Sequence, residues 1–185
     1  MNELDTYDAF AKKMAEKLPR YFGEGKHYGG FAIGEGWYHI IEELVLEIDH
    51  YTKHRRNCRA RDLKKLRAKN KGMDALIKFM AGKKGREPSA WDIERAEETM
   101  ENDIDITPKV NWIEIQQIKE KFGGLRFYYE GGDDEISGMV RIAERWTNKT
   151  CETCGNKGER RSGGWIRTLC DFHENLYQKR QENDE

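Results

Sequence analysis

The chain has 185 residues, 36% of them charged and 37% hydrophobic, with a formal net charge of -1. That length suits one domain, or one domain with a small appendage, and the low apolar content excludes a large core. The start, MNELDTYDAF, lacks the basic and apolar regions of a secretory signal. Apolar runs such as LVLEI are also far shorter than the roughly 18 residues of a membrane span, so the expected setting is a cytoplasm, without membrane.

The first expected element is a helix over TYDAFAKKMAEKLPRYF, with Tyr7, Phe10, Met14 and Leu18 on one side and Pro19 near its end. The glycine-rich passage GEGKHYGGFAIGEG predicts turns rather than a regular element. EGWYHIIEELVLEIDHY then places Trp37, Ile40, Ile41, Leu44 and Ile48 at helical spacing. A weaker helical pattern, RDLKKLRAKNKGMDALIKFMAG, is interrupted at Gly72. Ser89, followed three residues on by Asp92, predicts a capped helix over WDIERAEETMEND.

The period then changes. VNWIEIQQI and GLRFYYEG alternate like strands around a turn at KEKFGG, which predicts an antiparallel pair with Leu125, Phe127 and Tyr129 on one face. Asp133 caps a last long helix, DDEISGMVRIAERW, and the tail QKRQENDE is expected to fray. The fold class expected is α+β: helices around a short antiparallel hairpin, with a terminal treble-clef or zinc-ribbon module. The corresponding domains are 1–146, containing a charged helical insertion at about 51–108, and a zinc-binding module at 147–180.

Charge is distributed unevenly. From Lys53 to Arg86 there are fourteen Lys and Arg against Asp62 and Asp74, whereas Glu87 to Ile106 holds eight Asp and Glu against Arg95 alone. The basic run can track phosphates, or pack against the acidic helix that follows. Its contact candidates are Arg55, Arg56, Arg59, Lys64, Lys65 and Arg67, joined by Arg160, Arg161 and Arg167 near the C-terminus.

Three of the four cysteines lie within CETCGNKGERRSGGWIRTLCDFH. Cys151, Cys154, Cys170 and His173 form C-x2-C-x15-C-x2-H, two close ligand pairs of the kind a tetrahedral zinc ion requires. A tight turn holds the first pair, with Gly155 letting the backbone turn back. A Gly-Gly hairpin follows, and a helical turn holds the second pair. Four protein ligands predict one closed, structural Zn2+ rather than a catalytic one.

Other motifs are weaker. KFGGLRFYY partly matches an RNA-binding strand, but the order of its glycines and aromatics differs. His39, Glu43, Leu46 and His50 line up opposite the apolar face of their helix without forming a metalloprotease motif.

The combination of GGFAIGEGWYHIIEEL, IKEKFGGLRFYYEGGDDEISGMVRIAER and TCETCGNKGERRSGGWIRTLCDFH resembles an uncharacterised family of small proteins carried by bacteriophages and prophages. The resemblance covers about residues 28–50 and 112–174 and leaves Tyr51 to about Pro108 outside. It implies a viral origin and an accessory, nonstructural role in an infected bacterium, and it supplies no reaction. Trp165, Arg167 and LCDFH also resemble treble-clef DNA-binding fingers. The expected function is therefore a non-enzymatic, zinc-binding accessory protein whose partner is a host protein or a nucleic acid. The alternative is a small metal-dependent hydrolase or nuclease.

Overall fold

The computed structural model describes residues 3–26, 29–82, 86–162 and 165–184. The fold is mixed α+β and divides into two compact units, Met1–His50 with Asn111–Glu185, and Tyr51–Val110. Among the described residues, no helix is long and apolar enough to cross a membrane.

The first unit opens with α1 (Glu3–Lys17) and α2 (Pro19–Phe22), not the single helix expected. Leu18, which precedes a proline, leaves the helical region (φ -131°, ψ 57°), and Pro19 restarts the turn where its missing N–H costs nothing. Phe10, Met14 and Leu18 are buried as their spacing predicts, while the Tyr7 hydroxyl accepts a hydrogen bond from the Phe31 N–H.

Phe31–Ala32 forms a short strand, β1, where only turns were expected. It pairs in parallel with β2 (Glu114–Lys121), which pairs antiparallel with β3 (Gly124–Glu130). The predicted hairpin is therefore two strands of a three-stranded sheet, β1-β2-β3. The β2 strand also starts four residues later than the sequence pattern suggested.

Ile115 and Ile118 are three residues apart, yet both are buried. Gln116 is an extra residue in the ladder: Ile115 pairs with Tyr129 and Gln117 with Tyr128. This bulge resets the alternation so that both isoleucines face the core. Opposite them, Leu125 and Phe127 are buried on β3.

Helix α6 (Asp134–Thr147) lies against β3, and Asp133 caps it by accepting from the Ile136 N–H. Its Glu144 and Thr147 side chains accept from the Phe127 and Leu125 N–H groups. The open edge of β3 is thus satisfied by side chains instead of another strand.

The β2–β3 turn contracts to two residues, Phe122 (φ 54°) and Gly123 (φ 74°). Two left-handed residues match the twist of a tight hairpin, but phenylalanine is a poor occupant of that conformation.

A long helix, α3 (Tyr38–Asn70), follows a single 3-10 turn at Glu35–Trp37. It merges the predicted apolar helix with the first part of the basic pattern. Trp37, Ile40, Ile41, Leu44 and Ile48 are all buried in the first unit.

In the second unit, α3 ends at Asn70, and Gly72 (φ 104°) precedes α4 (Met73–Ala81). The next helix is α5 (Ala90–Glu101). The Ser89 hydroxyl accepts from the Asp92 N–H, and Asp92 accepts in return from the Ser89 N–H, completing the reciprocal cap read from the sequence. Leu76, Ala81, Ala96 and Val110 are this unit's buried apolar residues.

The basic helix is held by backbone oxygens of the segment after α5. Arg56 donates to the Val110 carbonyl, Arg59 to that of Thr107 and Lys69 to that of Asn102. In return Asp62 accepts from the Thr107 hydroxyl and N–H, and these bonds hold its carboxyl below the usual carboxylate range.

Two outcomes follow. Replacing Phe122→Asn creates an Asn-Gly turn and should raise stability by about 1 kcal/mol, read as a higher denaturation midpoint. The Asp62 contribution to stability is fully present above its unperturbed value of 3.8 and is lost as pH falls through its lower folded value. Asp62→Asn should therefore flatten the acid limb of a stability-against-pH curve below that value, and an unchanged limb would contradict the assignment.

Candidate metal centre

Cys151 and Cys154 lie just after α6, on a turn closed by the Gly155 N–H donating to the Cys151 carbonyl at 2.9 Å. Gly155 has φ 77°, the left-handed conformation expected where the chain reverses. A second hairpin follows, formed by β4 (Glu159–Arg161) and β5 (Arg167–Leu169). The Gly-Gly expected at its tip, at 163–164, lies outside the described residues. Cys170 and His173 open α7 (Asp171–Asp184), with the Cys170 carbonyl accepting from the Glu174 N–H. That helix includes most of the terminal segment QKRQENDE.

The four side chains converge. Cys151 Sγ lies 3.6 Å from His173 Nδ1, Cys154 Sγ 3.9 Å from Cys170 Sγ, and Cys170 Sγ 3.2 Å from His173 Nδ1. All four ligand atoms fall within 4.8 Å of one another, so the group can hold a metal ion. A tetrahedron with metal–sulfur bonds of about 2.3 Å and metal–nitrogen bonds of about 2.0 Å has S···S edges near 3.8 Å and S···N edges near 3.5 Å. The observed separations scatter around those edges, and the residues fit a tetrahedral ion.

Local groups shift two of the thiols in opposite directions. Burial pushes the Cys151 thiol up, but the backbone N–H groups of Cys170, Cys154 and Thr153 pull it down, and the net direction is below the usual thiol range. Cys154 moves the other way, pushed up by burial and by the neighbouring sulfurs.

Sequence reading missed what supports this turn. The Gly36 N–H donates to the Glu152 carbonyl at 2.9 Å, and the indole N–H of fully buried Trp37 donates to the Thr150 carbonyl at 2.7 Å. A Cβ at Gly36 would lie 2.2 Å from the Cys151 oxygen and 2.5 Å from the Gly155 nitrogen. One at Gly34 would lie 2.1 Å from the Glu152 oxygen. Only glycine lets these backbones touch. The signal was present as IGEGW, but glycine spacing cannot reveal which distant segment presses on it.

The second hairpin is also anchored. The buried Thr168 hydroxyl donates to the Gly123 carbonyl, and Arg160 donates to that of Phe122. Arg161 pairs with Asp171 and bonds the Leu169 carbonyl. Arg167 stacks over the Tyr177 ring at 4.8 Å and lies 3.7 Å from Glu152. Burial drives the Glu152 carboxyl up to about 7 against the pull of Arg167. Arg160 and Arg161 therefore make hydrogen bonds within the chain, and Arg167 makes a ring contact and an ion pair.

On α3, Lys64 and Arg67 are exposed and Lys65 is half-buried. The buried Nε of Arg55 has no hydrogen-bond partner among the described residues. His39, Glu43 and His50 are exposed, and the His39 ring approaches Gly155. No family model, curated protein or solved structure matches this chain.

Gly36→Ala should displace the Cys151–Cys154 turn and weaken metal binding by about 10- to 100-fold, as lost supporting contacts typically do. Competition against a chromogenic chelator measures this, and unchanged affinity would rule out the supporting role of Gly36.

Proposed function

We propose that this chain is a non-enzymatic accessory protein of a bacteriophage or prophage. In this reading one structural zinc ion holds its terminal lobe, and the chain binds a macromolecule of the infected bacterium. The observation that carries the reading is the convergence of three thiols and one imidazole at near-tetrahedral separations. That donor set suits zinc over hard cations, and four protein ligands favour a closed site. The order of cysteine turn, β4–β5 hairpin and α7 supports a treble-clef module.

The partner is a nucleic acid or an acidic surface of a host protein, met in the cytoplasm. Support comes from the exposed cations of α3, such as Lys64 and Arg67. Phosphate contacts of this kind are salt-dependent, because each cation displaces condensed counterions.

Elemental analysis of freshly purified, untagged protein should return one zinc per chain. Removing the ion forfeits binding energy on the order of 10 kcal/mol, so a strong chelator should unfold the lobe containing Cys151 to His173. A stoichiometric absence of transition metal would refute the zinc assignment. For the partner, DNA or RNA should shift in a salt-sensitive gel assay, and Lys64→Glu with Arg67→Glu should abolish the shift. Persistence of the shift in that variant would remove these residues from the interface. Capture of the same host protein from nuclease-treated lysate, lost in the variant, would identify a protein partner instead.

A further inference from the structure

Helix α6 presents a second face, distinct from the one packed on β3. At 100° per residue, Glu135, Gly138, Met139, Ile142 and Trp146 form one stripe, which Lys149 continues just past the helix end. Ile142 and Trp146 are 65% and 64% exposed, side by side on one helix face. The stripe borders an apolar groove of about 430 Å³ that α6 forms with α3, lined by residues including Ile40, Leu44 and Met139.

The stripe is complementary to itself. Turned end over end about Ile142, it sets Glu135 opposite Lys149, Gly138 opposite Trp146, and Ile142 opposite its own copy. An acid thus meets a base and the largest side chain meets the smallest. A Cβ on Gly138 would find nothing closer than an Arg141 nitrogen at 3.8 Å, so space above that glycine is open. The wider groove repeats the pattern. Trp37 bonding to Thr150 sets the start of α3 beside the chain that follows α6. Arg145, Lys149 and Lys157 gather around Trp146 at that end, while Glu43 and Glu47 line the groove further along α3.

We propose that a second copy of this chain covers this face, with the two α6 helices packed antiparallel about a two-fold axis through Ile142. Such an axis makes every contact off the axis occur twice, which is why one stripe suffices. Each Trp146 then lies over Gly138 of the other copy, and each Lys149 reaches Glu135 of the other copy. The assembly is independent of the function proposed above.

Sedimentation velocity of the zinc-loaded full chain, from about 1 to about 300 µM, covers the range in which a modest interface dissociates. The wild type should move as a dimer at the upper end. Ile142→Glu sets like charges against each other on the axis and should raise the dissociation constant at least about a hundredfold. Glu135→Lys and Lys149→Glu should each weaken the dimer about tenfold, and the double exchange should restore it. Circular dichroism and zinc content should be unchanged in each. A chain that stays monomeric throughout overturns the proposal and leaves the groove to another protein's helix. A dimer indifferent to Ile142→Glu, or a double exchange that fails to recover, also overturns it.

Discussion

The backbone of Gly34 and Gly36 lies so close to the Cys151–Cys154 turn that no side chain could intervene. Much else in the first unit follows from that constraint. It fixes the start of α3, carries the Trp37 indole to the Thr150 carbonyl and sets the direction in which two of the four candidate ligands point. The other two follow β5, which Thr168 fastens both to the Gly123 turn and, through its carbonyl, to the Glu152 N–H before the chain runs into α7. A metal ion at the centre would therefore join segments that backbone contacts have already brought together, and part of the ordering entropy would be met before the ion binds.

Local chemistry was legible in the sequence. The Ser89–Asp92 cap, the Asp133 cap and the two ligand pairs each involve residues three apart, and such geometry is dictated by a single turn of chain. The helical faces around Met14 and Ile41 were legible for the same reason. What escaped notice depends on remote partners. β1 is two residues long and exists only because the β2 edge is there to receive it. The continuity of α3 was hidden because its second half has few apolar residues to mark a period, and its cations answer to carbonyls of the segment from Asn102 to Val110.

Charge tells a similar story. The sequence shows a basic block followed by an acidic one, inviting carboxylate–cation pairing between helices. Arg86 does pair with Asp92, but Arg56, Arg59 and Lys69 also bond backbone oxygens, and Asp62 is held by a threonine. Such bonds satisfy carbonyl groups that no helix or sheet otherwise claims. They also tie up part of the positive block, so the count of cations in a sequence overstates what remains to meet a partner.

The extra glutamine in β2 has an effect beyond its own ladder. Without Gln116, Ile115 would still face Tyr129 in a regular ribbon, so the core has no need of it. Its carbonyl, however, receives the Gly29 N–H just before the chain enters β1 and then the glycines that press on the cysteine turn. A surplus residue on the central strand thereby receives a segment 87 positions earlier, just before that segment enters β1. Shortening the strand by that one residue would leave the sheet regular and take away the carbonyl that greets the Gly29 N–H.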